Sequence, residues 1–275
     1  MSETQLKPSA VDCSAKEKSY WEERLRENWG LGGVGYLGHG VPYNKWLYAV
    51  RKRVVRRCIS ELPVTLSSAK VLDIGSGTGF WLDVWRELGA RSITGTDITT
   101  GAVDRLRAAY PEMEVFQMDI AGEQERVPIQ GDFDLVSAFD VLFHITDDNR
   151  FRRAVVNIAS VLAPGGYLVF SDNFVHGAAV RVDHQVSRPL KEIEDALAAN
   201  GLNVVRRAPM FVVMNAPIDS SARWAVFAWR GFLAPVHLVP VLGHIYGACL
   251  FPIELFLTQV FHESPTTEMM ICRKV

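Results

Sequence analysis

From residue 70 onward, short apolar runs alternate with stretches in which apolar residues recur every three or four positions. The runs fall at 71–74, 92–97, 114–119, 133–139, 167–171 and 202–207, with a last one at 268–273, and they predict strands. The stretches at 80–88, 99–109, 147–162 and 189–200 predict helices. Pro164-Gly165-Gly166 stops the third of these and Asn200-Gly201 the fourth. Such alternation implies an α/β fold, a doubly wound parallel sheet with helices on both faces. Ahead of it, Tyr20, Trp21 and Leu25 share one face of a helix predicted over 15–28. A glycine-rich loop follows at 30–40, then a second helix over 43–61. The chain thus divides into an N-terminal helical cap (1–62), an α/β core (63–214), an insertion (215–267) and a final core strand (268–275).

Composition sharpens two points. Against 275 residues stand 29 Lys and Arg and 31 Asp and Glu, a formal net charge of −2, which argues against a nucleic-acid partner. The apolar fraction is 48%, so the chain is not disordered. Cys13, Cys58, Cys249 and Cys272 are too dispersed for a disulfide framework or a zinc site, and predict free thiols in a reducing cytoplasm. Residues 1–16 are polar, carry both signs and read as a frayed tail rather than a secretory signal.

The apolar surplus sits in the insertion. Residues 231–253 contain no Asp, Glu, Lys or Arg, but Pro235, Pro240, Pro252, Gly243 and Gly247 interrupt them. An interior proline costs a helix about 3 kcal/mol, so a broken pair of short helices is expected rather than a membrane span. Three readings compete for the insertion: a cap over an apolar substrate pocket, a homodimer interface, or a peripheral membrane contact through 231–261. The basic run Arg51, Lys52, Arg53, Arg56 and Arg57 reads as a solvated face, with contact to an anionic surface as the alternative.

The chemistry is concentrated at Val71-Leu72-Asp73-Ile74-Gly75-Ser76-Gly77-Thr78-Gly79, a strand-to-helix turn where doubly wound sheets bind ligands. Glycines there permit positive φ and close backbone approach. A dinucleotide loop reads G-x-G-x-x-G. Here the third glycine comes one position early, and Asp73 precedes the first by two. Asp97 ends the next strand, where a carboxylate can accept hydrogen bonds from ribose hydroxyls. Asp119 ends the third, where it can accept from an exocyclic amino group.

These residues, with Met118-Asp119, Phe133-Asp134-Leu135-Val136 and Leu162-Ala163-Pro164-Gly165-Gly166, resemble the class I S-adenosylmethionine-dependent methyltransferases. The resemblance covers 68–207 and the last strand. It implies a Rossmann-like, seven-stranded sheet whose last strand is antiparallel, with S-adenosylmethionine as cofactor. It implies that Asp73, Gly75, Ser76, Gly77 and Gly79 hold the methionine end. Asp97, beside Ile98, would hold the ribose; Met118, Asp119 and Ile120 would flank and pair with the adenine. Phe139 and Asp140 would lie near the methionine moiety.

Methyl transfer to a hydroxyl gains from a base. His144 follows the fourth strand and Asp172 the fifth, on the ligand edge of the sheet, and both are candidate catalytic residues that resemble those of natural-product and sugar O-methyltransferases. The competing reading makes His144 a structural histidine and Asp172 a loop hydrogen-bonder. Trp21 and Tyr43 in the cap, and His176, His184 and Arg188 after the fifth strand, are candidate substrate contacts. No spacing suggests a metal site. The expected activity is methyl transfer to a hydroxyl of a small, partly apolar acceptor. The alternatives are transfer to a small amine, a nicotinamide-dependent oxidoreductase, and a cofactor-binding protein without catalysis.

Overall fold

A computed structural model describes residues 10–123, 129, 132–220 and 223–275. Seven strands form one sheet: β1 (Lys70–Ile74), β2 (Ser92–Asp97), β3 (Glu114–Gln117), β4 (Phe133–Phe139), β5 (Leu162–Asp172), β8 (Leu202–Pro209) and β9 (Glu268–Lys274). Their order is β3-β2-β1-β4-β5-β9-β8. Strands β1 to β5 run parallel, and β9 lies antiparallel between β5 and β8, as the motifs imply. The order reverses between β1 and β4, which pair Val71 with Leu135 and Asp73 with Ser137. Strand ends splay apart at such a reversal and leave a crevice.

Period-two alternation decides which face each residue enters. Val71 joins a core shared with α3 (Gly40–Ser60), α4 (Phe80–Glu87) and α5 (Thr100–Ala109). Its neighbour Leu72 joins a second core with α6 (Asp148–Val161) and α7 (Leu190–Ala198). Thr99 caps α5 by accepting from the Ala102 N–H, and Asp147 caps α6 by accepting from Arg150. Strand β5 begins at Leu162, ahead of the expected 167. Pro164 and the glycines lie inside the strand rather than beyond a longer helix, and the register shifts opposite Phe133 and Leu135 to accommodate them.

The cap departs from expectation in three ways. Helix α1 spans Ala10–Glu27, so much of the predicted tail is helical; residues 1–9 lie outside the described residues. The glycine-rich loop contains a short helix, α2 (Leu31–Val34). The basic run of α3 is not a solvated face. Arg51 is buried and pairs with Asp140 at 2.5 Å, between the Tyr48 and Phe211 rings. Lys52 and Arg56 pair with Glu87, and Arg57 donates to the Thr258 carbonyl at 2.9 Å. Only Arg53 stays both exposed and clear of these partners. Helical spacing set these cations around the helix, and tertiary neighbours on several sides claimed them.

Between β5 and α7 a small hairpin, β6 (Val180–Val182) with β7 (Gln185–Ser187), replaces the expected loop. The insertion holds α8 (Arg223–Leu238) and α9 (Leu242–Val260). The latter is continuous through Pro252 rather than short and broken. Packing outweighs the lost hydrogen bond. Gly243 faces Tyr43 and Gly247 faces Trp46, so close that a Cβ at either would overlap α3. Glu254, buried beneath, accepts from the N–H groups of Val212, Val213 and Met214. No helix among the described residues is long and apolar enough to cross a membrane.

Candidate active site

At the β1–β4 reversal lies a cleft of about 920 Å³, solvent mouth included. Its floor is the glycine loop. Gly75, Gly77 and Gly79 have φ of 71°, 53° and 87°, a region that β-carbons disfavour. A Cβ on Gly75 would overlap Val141, and one on Gly77 would lie 2.9 Å from Val34. The loop therefore presents bare backbone to the cleft. Gly75, Ser76 and Gly77 line it; Gly79 stands outside, starting α4 against Tyr110.

Asp97 is buried at the cleft wall. One oxygen accepts from the Gly77 N–H at 2.9 Å, and the other from the Thr99 N–H and hydroxyl at 2.9 and 2.7 Å. Burial raises its pKa against these stabilising bonds. One carboxylate thus ties the glycine loop to the end of β2. Ile98, Met118 and Ile120 supply apolar walls of a slot that ends at Asp119. Asp119 accepts from the Ala121 N–H, from Ser14 of α1 and from Arg150 at 2.6 Å.

At the other end are Phe139, stacked on Trp81 at 3.9 Å, and Asp140. Asp140 adopts φ 57°, rare for a residue with a side chain. Ser171 exchanges two hydrogen bonds with it, and Arg51 neutralises it. Glu17, Trp21 and Leu25 of α1 cover the cleft. Glu17 is anchored by Arg150 and by the Thr146 N–H.

His144 also lines the cleft. Its Nδ1 is 2.7 Å from the His184 carbonyl, so Nδ1 carries the proton and Nε2 the lone pair. Burial holds its pKa down at about 3, against the upward pull of that hydrogen bond. The ring packs edge-on against Trp21 at 4.8 Å.

The remaining candidates stand behind the wall or away from it. Asp73 is buried below the loop, where it accepts from Ser137 at 2.6 Å. Its other oxygen has no partner, and burial pushes its pKa up to about 7. It braces β1 against β4 rather than facing the cleft. Asp172 is buried as well, raised to about 7, and accepts from its neighbour Asn173 rather than pairing with His144. Tyr43 donates to the Met214 carbonyl at 2.9 Å and packs on α9. His176 is exposed and pairs with Asp219. His184 stacks on Tyr20 at 5.1 Å, so it supports His144 through its backbone. Arg188 is buried on Phe151 and pairs with Asp148 at 3.0 Å.

Wall residues that the pattern did not reveal include Glu17, Leu25, Val34, Tyr48, Phe80, Trp81, Val141 and Ile145. Phe80 and Trp81 directly follow the glycine loop, so their proximity was readable. Glu17 and its partner Arg150 are far apart in sequence and carry no local signal.

Comparison with known proteins bears on this arrangement. A family model described as a methyltransferase domain matches residues 44–207. The chain is 30% identical over 115 residues to a ubiquinone biosynthesis O-methyltransferase of Bordetella avium (strain 197N). That match covers 41% of this chain and 46% of the relative, less than half its length. Magnesium protoporphyrin IX methyltransferase from Synechocystis PCC 6803, solved with bound cofactor, superimposes with a TM-score of 0.58 at 15% identity, over 98% of this chain and all of that one. An N-methyltransferase from Bradyrhizobium japonicum WM9, solved with S-adenosyl-L-homocysteine, gives 0.57 at 17% identity, over 94% and 98%. The family match spans the glycine loop, Asp97, the Met118-Asp119 slot and His144, and the chain belongs to the class I S-adenosylmethionine-dependent methyltransferases.

Proposed function

We propose that this protein transfers a methyl group from S-adenosylmethionine to a hydroxyl of a small, partly apolar acceptor. The cleft fits the cofactor. Side-chain-free backbone at Gly75 and Gly77 would lie along the methionine end, Asp97 would receive the ribose hydroxyls, and the Ile98–Met118–Ile120 slot would hold the adenine. When bound, the cofactor supplies an electrophilic methyl on a sulfonium.

The observation that carries the hydroxyl reading is the tautomer of His144. With Nδ1–H committed to the His184 carbonyl, the Nε2 lone pair can accept a hydrogen bond from an acceptor O–H. A ring held down at about 3 is a weak proton sink. Its contribution is to orient the hydroxyl lone pair and take up the proton as the C–O bond forms. Trp21, Leu25, Tyr48, Phe80 and Trp81 make the surroundings apolar, which excludes water from a displacement that water would compete in.

The low basicity of His144 also supports a second reading, transfer to a neutral amine, whose lone pair needs no prior deprotonation. Turnover on paired acceptors separates the two. Phenols and alcohols should be methylated and matched amines should not, and His144→Gln should lower turnover on the hydroxyl series. Methylation of amines alone, insensitive to His144, would overturn the hydroxyl reading.

A further inference from the structure

The α8–α9 hairpin treats its two faces differently. The inner face is closed: Gly243 and Gly247 seat α9 on α3, and Glu254 bonds three backbone N–H groups of the core. The outer face is open and apolar, with Phe227, Leu238, Val241, Ile245 and Phe256 all exposed. Leu238 and Val241, on either side of the turn, are 81% and 63% exposed, and no charged residue occurs from 231 to 253. At the base of the hairpin the character reverses. Asp219 and Glu263 flank it and pair with His176.

We infer that the hairpin turn docks into the interface of a phospholipid bilayer bearing anionic headgroups. Three observations select that occupant. First, the exposed apolar side chains are spread over both helices and the turn between them. A second protein would need a matching apolar surface to cover them, whereas a bilayer needs none. Second, Arg230 directly precedes the uncharged span and Lys45 lies on α3, the helix that seats α9; both are exposed with no acid paired to them among the described residues, and would be free to meet anionic headgroups. Third, the patch continues into the cap. A Cβ on Gly40 would lie 3.0 Å from Pro240, and one on Gly38 would lie 3.3 Å from His237. The exposed Leu37 and Val41 extend the apolar surface along the segment that begins at Val34, a wall residue of the cleft. An apolar acceptor dissolved in the membrane would reach the cleft along this strip. Docking itself does not depend on whether the acceptor group is a hydroxyl or an amine.

Flotation of the full chain with phosphatidylcholine vesicles, with and without phosphatidylglycerol, tests this. The wild-type protein should float, more with the anionic vesicles. A Leu238→Glu/Val241→Glu variant should partition about 100-fold less, because two buried apolar side chains are lost from the contact. Its melting temperature and its affinity for S-adenosyl-L-homocysteine should be unchanged, since neither residue touches the core or the cleft. Lys45→Ala/Arg230→Ala should remove the preference for anionic vesicles while neutral binding persists. Wild-type protein that stays at the bottom of both gradients overturns the inference, as does equal flotation of the glutamate variant. A dimer in light scattering that the glutamate variant splits, without flotation, assigns the patch to a second copy instead. Cofactor binding by calorimetry is read separately, so failure to float leaves the proposed activity standing.

Discussion

The C-terminal edge of the sheet and the α8–α9 hairpin handle exposure in opposite ways. At the sheet edge, buried and half-buried acids are tied to named partners: Asp97 to Gly77 and Thr99, Asp140 to Arg51 and Ser171, Asp119 to Arg150. On the hairpin, no charged residue occurs from 231 to 253 and apolar side chains face outward. Burying charge is tolerated only where partners are preset, and exposing apolar surface disfavours the isolated monomer unless something covers it. The first region is built to hold a polar ligand in fixed geometry. The second leaves apolar side chains exposed, the surface proposed above to meet a bilayer.

The largest expected effect breaks the first region. Asp97→Ala removes three hydrogen bonds to one carboxylate, and affinity for S-adenosyl-L-homocysteine should fall by about 100-fold or more by calorimetry. Unchanged affinity would detach Asp97 from the ligand. The next breaks the seam between the regions. Gly247→Val drives a side chain into Trp46, and chemical denaturation should show a loss of about 2–3 kcal/mol. Glu254→Ala frees three backbone N–H groups from the other side of the same seam, for about 2 kcal/mol. If both seam variants melt like wild type, the hairpin is not held to the core as described.

Smaller effects sharpen the comparison inside the cleft. His144→Gln should lower turnover by about ten-fold with cofactor affinity kept, which distinguishes a reacting-group contact from a structural one. The smallest concerns pH. Burial raises the folded-state pKa of Asp73 from 3.8 to about 7, so the folded protein binds more protons than the unfolded chain across that window. Stability of the free protein should therefore fall as pH rises through it, and Asp73→Asn should flatten the slope between about pH 5 and pH 7. An identical slope in the variant would show that Asp73 titrates normally.

Much of the core was readable locally. The strand positions, the glycine loop and the strand-end acids follow from short-range pattern, because each motif is contiguous and its chemistry local; the antiparallel direction of the last strand came only with the family resemblance those motifs carry. The acids at 97 and 119 belong to this class; Phe80 and Trp81, which directly follow the glycine loop, carried the same local signal but were not singled out from it. The placement of Asp73 does not. The motif sets its position in the chain, but the pleat sends its carboxyl toward Ser137 rather than toward the cleft. The same limit applies to Asp172, Tyr43 and Arg188, whose residue types suggested chemistry and whose partners made them structural.

The basic run of α3 shows the reason most clearly. Five cations in seven positions read as a solvated face, yet Arg51 is buried against Asp140, eighty-nine residues away, and Arg57 holds Thr258, two hundred and one residues away. By itself, the sequence determined the fold family, the site of the cofactor cleft and the absence of charge from 231 to 253. All of these are set by residues near one another in the chain. Only the tertiary structure decided which polar groups meet, how α1 closes the cleft through Glu17 and Arg150, and which face of α9 lies open. Those outcomes depend on long-range pairing and on the direction each side chain takes once the sheet is formed, and neither is encoded in any local run of residues.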